Sequence, residues 1–235
     1  MSGGPSLERT ARGADFLDWV GPALDGRVRA ELVELLGRSE PADGRAARSH
    51  RSRLAVVEAL RELHAAGELR PSADRVAERA GVSRRTVWQQ FTDMETLLVE
   101  AGRRDIEVLL QLVEPAAEGL PLDERVVWFV RQRAKVFERM TPGWRAARLY
   151  QPFSAELRRT RQRTAALARA ELETVFGPEL GRLAPSARAD LVASLQALTL
   201  WPFWDSLQVD LGLSGSQATA LLIKMVNVQL TAALA

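Results

Sequence analysis

The chain of 235 residues contains no cysteine, which excludes disulfide scaffolds, zinc fingers, iron–sulfur sites and cysteine nucleophiles. Its two histidines, His50 and His64, stand at no spacing that metal binding or nucleophilic catalysis requires. Both are read as surface residues at the two ends of one helix. The opening residues MSGGPSLERT lack the apolar run of a secretory signal. The longest weakly charged stretch, Leu191 to Trp204, falls short of the ~20 residues a membrane span needs. A cytoplasmic protein without metal, cofactor or membrane partner is expected, with no residue nominated for catalysis. Strand signals are scarce as well. Apolar residues recur at three- and four-residue spacing almost throughout, so the chain reads as all-α.

Hydrophobic residues make up 46% of the chain and charged residues 26%, the balance of a protein with a packed core. Lysine is nearly missing too, and almost all positive charge is carried by arginine. The formal net charge of +2 is unevenly spread. Arg45 to Arg104 holds 12 basic against 8 acidic residues, whereas the chain before it is net −3 and the chain after it net +1. A local excess of this kind is what a phosphate-binding surface needs.

The spacing of apolar residues and turn signals divides the chain into three parts. Residues 1–44 form an extension, flexible to Gly13, whose one amphipathic helix aligns Leu24, Val28, Leu32, Leu35 and Leu36 and is expected to pack on the protein. SEPADG, Ser39 to Gly44, reads as a linker. Residues 45–100 open with a helix from about His50 to Ala66, striped by Leu54, Val57, Ala59, Leu60 and Leu63 and ended by Gly67. Thr92 and Glu95 suggest a capping box that starts a long helix to about Val113, linking to residues 101–235. Further helices are placed near Leu122 to Met140, Gly143 to Tyr150, Ser154 to Phe176, Ser186 to Val209 and Ser216 to Leu234, the last capped by Ser214 and Gln217.

Between Asp74 and Gln90 the segment ADRVAERAGVSRRTVWQQF has the layout of a helix-turn-helix. Ala77 is small where a second helix must cross, and Gly81 supplies the positive φ that lets the chain leave the first helix abruptly. Val76, Ala80, Val82 and Val87 form the wedge that sets the crossing, and Ser83 caps the second helix. That helix carries Arg84, Arg85, Thr86, Gln89 and Gln90. Arginine pairs bidentately with guanine and glutamine with adenine, each such pair being worth ~1–3 kcal/mol of discrimination.

On these residues, with FTDMETLL opening the next helix, the chain resembles the TetR family of bacterial one-component repressors. The likeness is close over Arg51 to Glu100 and extends to length and helical layout elsewhere. It implies an N-terminal helix-turn-helix DNA-binding domain, with a C-terminal helical ligand-binding and dimerisation domain. It further implies DNA contacts from Ser83, Arg84, Arg85, Thr86, Trp88, Gln89 and Gln90, with Arg51 and Arg53 near the start of the preceding helix. Trp88 stands where the family usually has tyrosine, and Met94 where it usually has lysine, which removes one phosphate contact.

One small domain makes few base contacts, so specificity calls for two copies about one DNA turn apart on a palindromic double-stranded operator. The last helix is apolar around most of its circumference, through Ala218, Leu221, Leu222, Met225, Val226, Leu230, Ala233 and Leu234. Paired with Leu191 to Leu200 it is expected to form half of a four-helix homodimer interface. Aromatic clustering nominates Trp128, Gln132, Trp144, Tyr150, Phe153, Trp201 and Trp204 as walls of a site for a largely apolar effector. Pro202 is expected to kink its helix and open space beside Trp201 and Trp204. The function that follows is transcriptional repression released by a small molecule. The competing class is a non-specific or architectural DNA binder without an effector.

Overall fold

The computed structural model describes residues 13–36, 44–116 and 119–235. The first twelve residues and most of the expected linker lie outside these. All regular structure among the described residues is helical. In chain order it comprises α1 (13–20), a 3-10 turn (Gly21–Ala23), α2 (Gly26–Leu36), α3 (Gly44–Ala65), α4 (Ala73–Ala80), α5 (Arg84–Gln90) and α6 (Met94–Leu112). There follow α7 (Leu122–Tyr150), α8 (Ala155–Val175), α9 (Gly177–Leu180), α10 (Pro185–Leu198), α11 (Trp201–Val209) and α12 (Gly215–Leu234). The chain divides into two compact units. The larger takes residues up to Val33, Leu109–Arg139 and Arg163–Ala235; the smaller takes Glu34–Val108 and Met140–Gln162.

The smaller unit is built on the α3 stripe. Val56, Val57, Leu60 and Leu63 meet Val76 and Ala77 of α4, Val87 of α5, Phe91, and Leu97 and Leu98 of α6. Removing each such side chain from water contributes ~1.5–3 kcal/mol of transfer free energy. Helix α3 starts at Gly44, six residues before the position its apolar spacing suggests, because its first turns carry arginine and serine rather than a stripe. It ends as expected. Gly67 adopts φ +90°, Glu68 N–H donates to Leu63 O at 3.0 Å, and Gly67 N–H donates to His64 O at 2.9 Å. This closes the terminal carbonyls in a Schellman arrangement.

His64 departs from its expected surface position. It is 3% exposed, and its Nε2 has no hydrogen-bond partner among the described residues. Desolvation lowers its pKa to about 4, so at neutral pH it behaves as a neutral core residue.

The larger unit holds the α10–α11–α12 packing, with Leu191, Val192 and Leu195 buried on α10 and Ala218, Leu222, Val226 and Leu230 buried at four-residue intervals on α12. Two ion pairs lie inside it. Arg125 Nη2 donates to Glu179 Oε1 at 2.5 Å, and Arg133 Nε lies 2.9 Å from Glu171 Oε2. Burial pushes the Glu171 carboxyl above the ordinary carboxylate range, against the attraction of Arg133.

The extension also packs here. Phe16, Leu17, Val20, Leu24 and Leu32 are buried, Trp19 meets Trp128 edge to face at 6.1 Å, and Arg163 pairs with Glu31 at 2.6 Å. The expected face of α2 is half realised: Leu24 and Leu32 are buried and Val28 is partly so, while the Leu35 and Leu36 side chains lie outside the described ones.

Two prolines behave differently from their sequence reading. Pro142 does not separate two helices, since α7 runs through it. Buried Met140, Thr141 and Ala146 hold the helix down on both sides, offsetting the ~3 kcal/mol a helix-interior proline costs. Pro202, conversely, lies at no kink inside a helix. The chain breaks at Thr199 and Leu200, and Leu200, at φ −91° and ψ 152°, is the N-cap of α11. Pro202 then occupies the first turn, where no N–H is needed. Arg133 Nη1 donates to the Thr199 carbonyl at 3.1 Å, satisfying an acceptor at the break. Pro178 likewise starts a short separate helix, α9.

Candidate nucleic-acid interface

Helices α4 and α5 form the helix-turn-helix, and local chemistry determines both joints. Ser72 caps α4 by accepting from Arg75 N–H. At the other end Gly81 takes φ +66°, with Val82 N–H donating to Ala77 O at 3.0 Å and Gly81 N–H to Glu78 O at 3.2 Å. Ser83 then caps α5, its Oγ accepting from Thr86 N–H at 3.0 Å and pairing with Thr86 Oγ1 at 2.9 Å. Val76 and Val87 are fully buried, while Ala80 and Val82 pack against the same core.

Burial of Val87 sets the rotational phase of α5. Arg84, Arg85, Trp88 and Gln89 consequently face solvent, with Thr86 and Gln90 half-buried. Trp88 is 38% exposed, so its indole N–H is not absorbed by the core. The helix ends where Phe91 turns extended and buries its ring.

Arg53 fastens that end. Its Nη1 donates to Gln90 O at 2.5 Å, its Nη2 lies 3.3 Å from Glu100 Oε2, and its guanidinium covers the Phe91 ring at 4.2 Å. This side chain is engaged within the unit and fixes the attitude of α5. Gln90 is tied as well, its Nε2 donating to Ser49 Oγ at 3.1 Å. The early start of α3 thereby brings Ser49 beside the end of α5, a placement that reading from His50 onward misses.

The remaining cations differ in commitment. Arg75 pairs with Glu78 at 2.5 Å, Arg79 with Glu62 at 2.5 Å, and Arg84 with Asp74 at 3.3 Å. The Arg84 pair is exposed, and a surface pair of this kind contributes little, so a phosphate or base edge can displace Asp74. Arg48, Arg51 and Arg85 are exposed and carry no hydrogen bond or ion pair among the described residues. Met94 packs against the core and offers no cation.

The start of α6 is a correction. Asp93, not Thr92, is its cap: Oδ1 accepts from Thr96 N–H at 2.7 Å and from Thr96 Oγ1 at 2.8 Å. These bonds hold the Asp93 carboxyl below the usual carboxylate range. Aspartate is the stronger acceptor and stands one residue nearer the helix, so Thr92 only bonds Thr96 Oγ1 at 3.0 Å.

The seven residues nominated for an effector are divided between the two units. Trp128 and Gln132 line a cavity of about 660 Å³ in the larger unit. Trp201 and Trp204 are buried there, Trp204 tilted against Phe137 at 5.6 Å. Trp144, Tyr150 and Phe153 belong to the smaller unit. Tyr150 packs on its core, with Arg70 5.7 Å from the ring, whereas Phe153 is 87% exposed. Half of the residues lining the cavity are charged: Glu114, Asp123, Glu124, Arg131 and Lys135.

No helix among the described residues is long and apolar enough to cross a membrane. Neither models of protein families nor curated protein sequences match the chain. Among solved structures, a transcriptional regulator from Rhodococcus sp. Rha1 is similar at a TM-score of 0.59 and 18% identity, covering 78% of this chain and 98% of its own. The chain thus has the all-α fold of a transcriptional regulator.

Proposed function

We propose that the chain is a sequence-specific, DNA-binding transcriptional regulator of the TetR kind, acting in the cytoplasm as a homodimer and by binding rather than catalysis. The observation that carries the reading is the setting of α5. Gly81, Ser83, Phe91 and Arg53 hold its two ends, Val87 fixes its rotation, and Arg84, Arg85 and Gln89 are left facing outward. A short helix so anchored and so displayed fits the major groove. Arg48 and Arg51 supply further cations for the phosphate backbone.

Dimerisation through α10 and α12 would place two copies on a palindromic operator. Val228 on α12 remains exposed, as do Ala193 and Ala197 on α10, together with Lys224 and Gln229 of α12. The regulator acts as a repressor, released when a small molecule occupies the larger unit. Helices α6, α7 and α8 each contribute to both units and would carry the coupling, for which ~1–3 kcal/mol suffices.

Selection of bound fragments from a random DNA pool, repeated across salt concentrations, tests this. A regulator returns one palindromic motif and keeps its preference as salt weakens phosphate contacts. Enrichment of no motif would favour the architectural reading and overturn this one.

A further inference from the structure

The cavity of about 660 Å³ falls within the size range of small-molecule sites, and its principal wall is one face of α7. Asp123 and Glu124 stand in the first turn, Val127 and Trp128 one turn on, Arg131 and Gln132 next, and Lys135 beyond. Residues four apart on a helix share a face, so acid, aromatic and base follow one another along a single groove. Glu114 adds a third carboxylate, and Asn227 of α12 adds an amide. Trp19 of α1 meets Trp128 edge to face.

The charges that line the cavity are unspent. Glu114, Asp123, Glu124, Arg131 and Lys135 make no hydrogen bond or ion pair among the described residues. Arg125 and Arg133 on the same helix are both paired with buried glutamates. A helix N-terminus favours the two acids of the first turn but accounts for neither Arg131 nor Lys135. Gln132 is 8% exposed, yet it forms no hydrogen bond among the described residues and its amide is not sealed off. A buried amide of this kind calls for a partner, and the cavity is where one can sit.

The spacing selects the ligand. Asp123 and Arg131 are eight residues apart, about 12 Å along an α-helix. An extended peptide covers ~3.3–3.6 Å per residue, so three or four residues separate a free ammonium from a free carboxylate by that distance. We propose that the cavity binds a zwitterionic peptide of three or four residues. Its ammonium lies at Asp123 and Glu124, its carboxylate at Arg131 and Lys135, an aromatic side chain lies on Trp128, and Gln132 and Asn227 bond its backbone. The inference deepens the effector reading above and rests on it for the regulatory consequence alone.

Isothermal titration of the full chain, without DNA, with Ala-Phe-Ala and Ala-Ala-Phe-Ala is the test, alongside the N-acetylated and C-amidated forms of each. Saturable binding that weakens at least about tenfold when either end is capped is expected for charge-assisted contacts. The double variant Arg131→Gln, Lys135→Gln is expected to lose the response to C-amidation while keeping that to N-acetylation. The double variant Asp123→Asn, Glu124→Gln should do the reverse. All four side chains are exposed, so folding is retained, as circular dichroism would verify. Absence of saturable binding by both peptides, equal binding of capped forms, or variants that leave the end-group preference intact would each overturn the proposal. A chain that selects a DNA motif but binds neither peptide refutes this inference and leaves the regulator reading standing. Peptide binding by a chain without DNA preference does the opposite.

Discussion

Arg53 and Arg85 are both arginines of the smaller unit, yet their surroundings assign them different work. Arg85 is exposed and without a partner among the described residues, so Arg85→Ala is expected to relax preference at one operator position by ~1–3 kcal/mol with little change in stability. Arg53→Ala removes the bond to Gln90 O, the Glu100 pair and the Phe91 contact. It should lower Tm and weaken binding to all sequences alike. Specificity selection combined with thermal melts checks both, and a shifted motif for Arg53→Ala would contradict the assignment.

His64 supplies a second residue-scale expectation. Its pKa in the fold is about 4 against ~6.5 in the unfolded chain, so the unfolded state binds the extra proton first. Its contribution is intact above pH 6.5 and is lost as pH falls toward 4, a difference on the order of 3 kcal/mol. Urea unfolding of wild type and His64→Leu across this range should show the slope shrinking in the variant.

Among the elements, α6 distinguishes two sequence-adjacent capping candidates. Asp93→Ala deletes two bonds to Thr96 and is expected to cost ~1 kcal/mol, within the 0.5–2 kcal/mol of cap substitutions. Thr92→Ala deletes only a hydroxyl pair on the surface and should be nearly neutral. Chemical denaturation of the two variants tells them apart, and equal losses would mean that the cap is shared. Helix α7 makes a related point about proline. Its continuation through Pro142 and the break before Pro202 invert what those residues suggest alone. Packing on either side decides whether a proline interrupts a helix or merely starts the next one.

For the molecule as a whole, residues 13–33 are part of the larger unit rather than an appendage. Deleting residues 1–43 would expose the surfaces that Phe16, Leu17, Val20, Leu24 and Leu32 cover, each worth ~1.5–3 kcal/mol of transfer free energy before chain entropy is subtracted. A loss of several kcal/mol and a Tm lowered by roughly 10 °C are expected. Calorimetry of the truncated chain decides, and an unchanged Tm would show that the extension packs without stabilising. The deletion also removes Trp19 from beside Trp128, linking the extension to the cavity wall.

The helix-turn-helix was legible from residues alone because its signals act over short range. Ser72, Gly81 and Ser83 determine caps and a turn within four or five residues of themselves, and Val87 sets the phase of a helix only two turns long. The all-α composition and the capping box at Ser214 and Gln217 were readable for the same reason. Tertiary structure decided the rest. Whether Arg53 faces outward, whether His64 is buried, and which of Trp128, Trp144, Phe153 and Trp204 share a space all depend on contacts between helices far apart in the chain. Aromatic residues carry no local mark that separates a cavity wall from a core. Only packing left α7 with unpaired charges on one face and buried ion pairs on another.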